Sequence, residues 1–135
     1  LDMFAGTGSL GFEALSRGAN EVIFIEKQKS LCNSIEDVAK QLGIKKKCKI
    51  INANSTSINF NNLNDKFDLI FLDPPFHENL IQRSLNIIDE NALLAKNGLV
   101  YIECEKDFDI NSLKTKLGQM KQSKGGHTKF YLYES

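Results

Sequence analysis

A chain of 135 residues is long enough for one domain with a real core and too short for a second full one, since domains commonly run to roughly 100–150 residues. Its 17 lysines and arginines balance 17 aspartates and glutamates, so the summed field offers no general attraction to polyphosphate, which counts against nucleic acid except through a local patch. No apolar run is long enough to cross a bilayer and no basic leader precedes an apolar stretch, so the expectation is a cytoplasmic protein without a membrane partner.

Leu1 opens the sequence in the middle of a strand-like run, without an initiator methionine. The expectation is one domain over residues 1–135 that lacks a short N-terminal segment. The run Leu1 to Phe4 leads into Gly6 and Gly8, after which Leu10, Ala14 and Leu15 share one helical face until Gly18 stops it. Glu21 to Glu26 is the second strand. Leu31, Ile35, Val38, Ala39 and Leu42 follow helical spacing and end at Gly43, and Cys48 to Asn52 supplies a third strand. Asn59 to Asp65 is asparagine-rich, has no period and reads as a loop.

The strongest strand is Phe67 to Leu72, cut off after Asp73 by two prolines that cannot continue a central strand. Leu80, Ile81, Ser84, Leu85 and Ile88 then make a helical face, and Leu99 to Cys104 returns as a strand after an Asn97-Gly98 turn. Thr128 to Tyr133 alternates polar residues with aromatics and reads as a late edge strand. Strands alternating with helices predict an α/β chain with a parallel sheet. Cys32, Cys48 and Cys104 are an odd set inside apolar segments and read as buried reduced thiols. Neither they nor His77 and His127 make a metal-ligand pattern, so no metal is expected.

Gly6-Thr7-Gly8-Ser9-Leu10-Gly11 matches the dinucleotide fingerprint between a strand and a helix, with Glu26 ending the next strand. The glycines let a ligand approach the backbone, and the helix start offers free amides to a pyrophosphate or a carboxylate. Asp2 shifts the balance, because a second acid near that loop opposes a pyrophosphate but favours the sulfonium and ammonium of S-adenosylmethionine. Glu26 is placed to accept hydrogen bonds from two ribose hydroxyls, whichever nucleotide binds.

Asp73-Pro74-Pro75-Phe76 discriminates between the two, since a dehydrogenase has no use for it. The exocyclic amine of a base is a poor nucleophile, its lone pair being delocalised into the ring, and it needs acceptors that draw its hydrogens out of plane. The Asp73 carboxylate and the Pro74 carbonyl are assigned to this, held by rigid prolines as preorganisation rather than as acid–base chemistry at a tuned pKa. Phe76 offers an extruded base a stacking face worth roughly 1–3 kcal/mol. The catalytic set is therefore Asp73, Pro74 and Phe76, and the switch point of the sheet is where it is expected. His77 and Lys45-Lys46-Lys47 read as solvated surface.

The stretch from Leu1 to Gly11, followed by Glu13-Ala14-Leu15-Ser16-Arg17-Gly18-Ala19, then Phe24-Ile25-Glu26, Asn52-Ala53-Asn54, Phe71 to Phe76 and Gly126, resembles the RsmD family of ribosomal RNA guanine-N2 methyltransferases. The resemblance implies a Rossmann-like class I S-adenosylmethionine-dependent fold, with a seven-strand, mostly parallel sheet whose last strand is antiparallel. It also implies methyl transfer to a guanine N2 in 16S ribosomal RNA of the small subunit, by a bacterial enzyme taken here as a monomer. It places Asn54 at the adenine end of the cofactor pocket, where many relatives carry Asp, so the expected lining is Asp2, Ala5, Gly6, Gly8, Glu26, Asn54 and Asp73. Adenine N6 is the rival target within methyltransferases, because the same four residues serve both bases. A nicotinamide-dependent oxidoreductase would explain the glycines but leave Asp73 to Phe76 idle, and a non-catalytic RNA-binding module would not need Asp73 and Phe76.

Overall fold

The computed structural model describes residues 1–63, 66–75 and 79–135 as two compact units, Leu1–Ile58 and Asn59–Ser135. In the first, residues 1–5 run parallel to β1 (Val22–Glu26). The Asp2 amide donates to the Ile23 carbonyl (2.9 Å), the Ile25 amide to the Asp2 carbonyl (2.9 Å), and the Ala5 amide to the Ile25 carbonyl (3.0 Å). On its other side β1 pairs in parallel with β2 (Cys48–Asn52), from Val22↔Cys48 to Glu26↔Asn52. All five residues of β1 are buried, as expected of an apolar strand covered on both faces.

Two helices cover one of those faces, the one that Val22 and Phe24 present. α1 (Ser9–Ser16) packs on β1, and α2 (Lys29–Gln41) on β1 and β2. Gly11 is the close point: a Cβ there would run into the Phe24 ring and lie 2.9 Å from Val22 Cγ1, so only glycine lets α1 sit this near the strand. The core of this unit gathers Ala5, Val22, Phe24 and Ile35, with Phe12, Ala14 and Leu15 against them. α2 buries Cys32, Ile35 and Ala39 on one stripe and stops at Gly43, whose φ of 69° favours glycine.

The second unit carries a four-stranded sheet in the order β3-β4-β6-β5, built from β3 (Phe67–Leu72), β4 (Leu94–Glu105), β5 (Gly118–Gly125) and β6 (Thr128–Glu134). β3 and β4 are parallel, and β6 is antiparallel to both of its neighbours. α3 (Leu80–Glu90) packs on β4. Its buried Ile81, Ser84, Leu85 and Ile88 show the i, i+3, i+4, i+7 spacing of one helical stripe. Along β4, Val100, Ile102 and Cys104 are buried while Tyr101, Glu103 and Glu105 are half-buried on the opposite face.

Three expectations need correction. Instead of one seven-strand sheet, the described residues form sheets of two and four strands, because residues 1–5, which would make the seventh strand, hold only the isolated Asp2↔Phe24 bridge. The aromatic tail is not an edge strand: β6 lies between β4 and β5. The Asn97-Gly98 turn is absorbed into β4 as a bulge, where the ladder jumps from Phe67↔Leu94 to Leu69↔Leu99 and Asn97 takes a φ of 60°. No helix among the described residues is long and apolar enough to cross a membrane.

Candidate functional site

In the first unit the glycine loop is built around Glu26. This carboxylate ends β1 and is buried. Its Oε2 accepts from the Gly6 amide at 2.9 Å and its Oε1 from the Gln28 amide at 2.7 Å. Its main-chain carbonyl accepts from the Ala53 amide at 3.1 Å and from Asn52 Nδ2 at 2.9 Å, and the Cys32 thiol donates to it at 3.3 Å. One residue thus ties the end of β1 to the loop, to the approach of α2 and to the end of β2.

The loop needs its glycines for two different reasons. Gly6 has a φ of 55°, which favours glycine, and a Cβ there would meet nothing within 4 Å, so the loop backbone that binds the Glu26 carboxylate is open on that side. Gly8, at φ 84°, donates to the Ala5 carbonyl at 2.6 Å and caps α1 without any side-chain bond, which leaves first-turn amides available to a ligand's oxygens. Asp2 is 1% exposed on the strand beside β1. The sequence-predicted residues Asp2, Ala5, Gly6, Gly8 and Glu26 are therefore brought together within this unit.

Asn54 follows β2 and is exposed. Its side-chain oxygen accepts from the Thr56 amide at 3.0 Å and from the Thr56 hydroxyl at 2.9 Å, as a turn-forming asparagine does. The side-chain NH2 is the group left for a purine acceptor.

Asp73 and Pro74 lie in the second unit, at the end of β3. The β3–β4 register pairs Phe71 with Tyr101 and Leu72 with Ile102; carried two residues past Phe71, it sets Asp73 level with Glu103 on the same face of the sheet. Below them lies an aromatic floor. Phe71 meets Tyr101 edge-on at 5.9 Å between centroids, and Tyr101 stacks on Phe130 at 6.1 Å. The Tyr101 hydroxyl donates to Glu103 Oε2 at 3.4 Å.

Burial, and then the neighbouring Glu103 carboxylate, raises the Asp73 pKa from 3.8 to about 6. Tyr101 is pushed up by burial first, then by Glu103 and Asp73. The tuned Asp73 departs from the sequence reading, which gave this carboxylate a positioning role at an ordinary pKa. Beside it opens a cleft of about 220 Å³, lined by Pro74, Pro75, Leu80, Ile81, Phe108 and the two acids Glu103 and Glu105, with Asn79 at its side.

Sequence reasoning missed Glu103 and Glu105. Their signal was the alternation from Leu99 to Cys104, in which a strand glutamate reads as solvent-facing until a partner strand is known. Phe76 and His77 lie outside the described residues. Among the described residues no cluster of three or more His, Cys, Asp or Glu is arranged to hold a metal ion.

A family model described as conserved hypothetical protein 95 matches residues 1–134. The chain is 43% identical over 109 residues to the ribosomal RNA small subunit methyltransferase D of Haemophilus influenzae, a match covering 79% of this chain and 56% of that relative. The chain thus spans little more than half the length of this curated relative. The crystal structure of an H. influenzae protein provisionally designated a methylase superposes with a TM-score of 0.86 at 37% identity, over 98% of this chain and 83% of that one. An RNA methyltransferase from Salinibacter ruber, solved with S-adenosyl-L-homocysteine, shares the fold at a TM-score of 0.72 and 15% identity, over 98% of this chain and 77% of that one. With a family model matched almost end to end, this chain belongs to the conserved hypothetical protein 95 family, the RsmD family that its glycine loop and Asp-Pro-Pro-Phe motif resemble.

Proposed function

We propose that this chain transfers a methyl group from S-adenosylmethionine to the exocyclic N2 amine of a guanine in 16S ribosomal RNA of the small subunit, as a cytoplasmic monomer. The observation that carries the reading is Asp73, a carboxylate just past the carboxyl end of β3, level with Glu103 by extension of the β3–β4 register and with its pKa raised to about 6. The names of the relatives support the ribosomal RNA substrate, and the ligand of the S. ruber neighbour supports the methyl donor.

The first unit fits that donor. Open space at Gly6 beside the Glu26 carboxylate suits a ribose, whose hydroxyls would replace or share the amides of Gly6 and Gln28 as donors to Glu26. The uncapped first turn of α1 suits a carboxylate, Asp2 and Ala5 flank the loop, and Asn54 offers its NH2 to the adenine edge. Bound there, S-adenosylmethionine supplies an electrophilic methyl carbon on a sulfonium.

In the second unit, the Asp73 carboxylate and the Pro74 carbonyl accept the two N–H bonds of the base amine and turn its lone pair out of the ring plane. Phe76 supplies the stacking face. After the new C–N bond forms, the amine carries one proton too many. Asp73, with a pKa of about 6, takes that proton more readily than an ordinary aspartate would and then releases it to water at neutral pH.

Adenine N6 remains the second reading, favoured only by the shared Asp-Pro-Pro-Phe motif. Calorimetric titration with S-adenosylmethionine and with NAD tests the cofactor. The methyl donor is expected to bind and NAD not to, and tighter NAD binding would overturn the reading.

A further inference from the structure

We propose that Glu103 is the residue that selects guanine over other purines, accepting the ring N1–H of the target base while Asp73 and Pro74 hold its N2 amine. The inference rests on the methyltransferase reading above and deepens it. Its ground is the register of β3 on β4. Phe71↔Tyr101 sets Asp73 and Glu103 side by side on one face, and Glu103 lines the cleft that Pro74 and Pro75 open. At about 220 Å³ that cleft is smaller than the roughly 300–1,000 Å³ of drug-sized sites, a size for one extruded base rather than a whole nucleotide.

The chemistry of the lining chooses among bases. Pro74, Pro75, Leu80, Ile81 and Phe108 offer apolar walls, and among the described residues the charged groups that line the cleft are the carboxylates of Glu103 and Glu105. Ionised carboxylates accept and never donate, so the edge turned toward Asp73 and Glu103 must be an unbroken row of donors. Guanine has such a row, since N2–H2 and N1–H are adjacent. Adenine entering with its N6 amine toward Asp73 would turn the N1 lone pair toward Glu103, acceptor against acceptor. A site built to hydrogen-bond one edge strongly rejects an analogue that lacks the matching donor.

The two acids are close enough that the Glu103 charge adds to burial in raising the Asp73 pKa. Glu103 itself is steadied by the Tyr101 hydroxyl, which rests on the Phe71 and Phe130 rings.

The test uses 2-aminopurine, which keeps the amine at position 2 but has a lone pair at N1 where guanine has N–H. Nucleoside mass analysis first locates the methylated guanosine in small-subunit RNA treated with the intact protein. That RNA is then rebuilt with 2-aminopurine at the located position, and methyl transfer and equilibrium binding are measured for both RNAs. The wild-type protein is expected to prefer guanine by at least about 100-fold in transfer, with a parallel preference in binding.

Glu103→Gln, whose amide can turn its NH2 toward N1, is expected to narrow both preferences at least tenfold. A wild-type protein that treats the two bases alike overturns the proposal without any variant. So does an active Glu103→Gln protein with an unchanged preference. If no guanosine is methylated in the first step, the methyltransferase reading falls together with the proposal, and the two failures are thereby told apart.

Discussion

Replacing Asp73 by asparagine keeps the size of the side chain and removes its charge, and the structure assigns that change an effect on stability opposite to its effect on activity. In the unfolded chain this carboxyl titrates near the ordinary 3.8, and in the fold near 6. Between those values the folded protein holds a proton that the unfolded chain has released, so stability falls as pH rises through the window and stays lowered above it. Each pK unit corresponds to about 1.4 kcal/mol, which gives a cost near 3 kcal/mol before solvent is considered, and partial exposure of Asp73 reduces this to about 1–2 kcal/mol. Asp73→Asn is therefore expected to be more stable than the wild type by that amount at neutral pH, with Tm higher by about 3–8 °C. Thermal unfolding of both proteins by circular dichroism from about pH 4 to 7.5 reads it directly: the two Tm values should meet near pH 4 and separate up to about pH 6. A wild type that is equally stable or more stable at neutral pH, or a gap that is largest at acid pH, would refute the assigned environment of Asp73.

The same variant should lose turnover by about 100-fold or more while cofactor affinity changes little, as when one preorganised transition-state group is removed; calorimetry and single-turnover assays separate the two effects. Because the ionised form of Asp73 accepts the amine hydrogens, wild-type turnover should rise through about pH 6, and Glu103→Gln, by removing the neighbouring charge, should move that rise to lower pH in a pH–rate profile. Glu26→Gln removes a charged acceptor shared by the Gly6 and Gln28 amides and should weaken S-adenosylmethionine binding about tenfold or more with a stability loss of about 1–3 kcal/mol; unchanged calorimetric affinity would show that Glu26 holds only the loop. Gly11→Ala drives a methyl into the Phe24 ring and should cost about 1–3 kcal/mol or more in urea unfolding, with no loss if α1 can move off β1.

Much of this was legible locally. Val22 to Ile25 is a continuous apolar run that ends on Glu26, and all five residues form a fully buried strand, while Ile81, Ser84, Leu85 and Ile88 announce the buried stripe of α3 by spacing alone. The glycine loop was readable because only a tight turn beside a packed strand calls for glycine at 6, 8 and 11. Other features depended on non-local pairing. Gly118 to Gly125 is exposed at every position and shows no alternation, so β5 carries no periodic signal and exists because β6 offers it a full antiparallel ladder. That ladder also turns the aromatic tail from an edge into an interior strand. Glu103 was silent for a related reason: a half-buried strand glutamate gains meaning only when the β3–β4 register, which ends at Leu72↔Ile102, is carried one residue further to Asp73.

The most direct test of the central claim is to incubate the purified protein with isotopically labelled S-adenosylmethionine and unmethylated small-subunit particles, digest the 16S RNA and identify the labelled nucleoside by mass spectrometry. Label in N2-methylguanosine is the expected result; label in N6-methyladenosine, or no transfer by a protein that binds the cofactor, would contradict it.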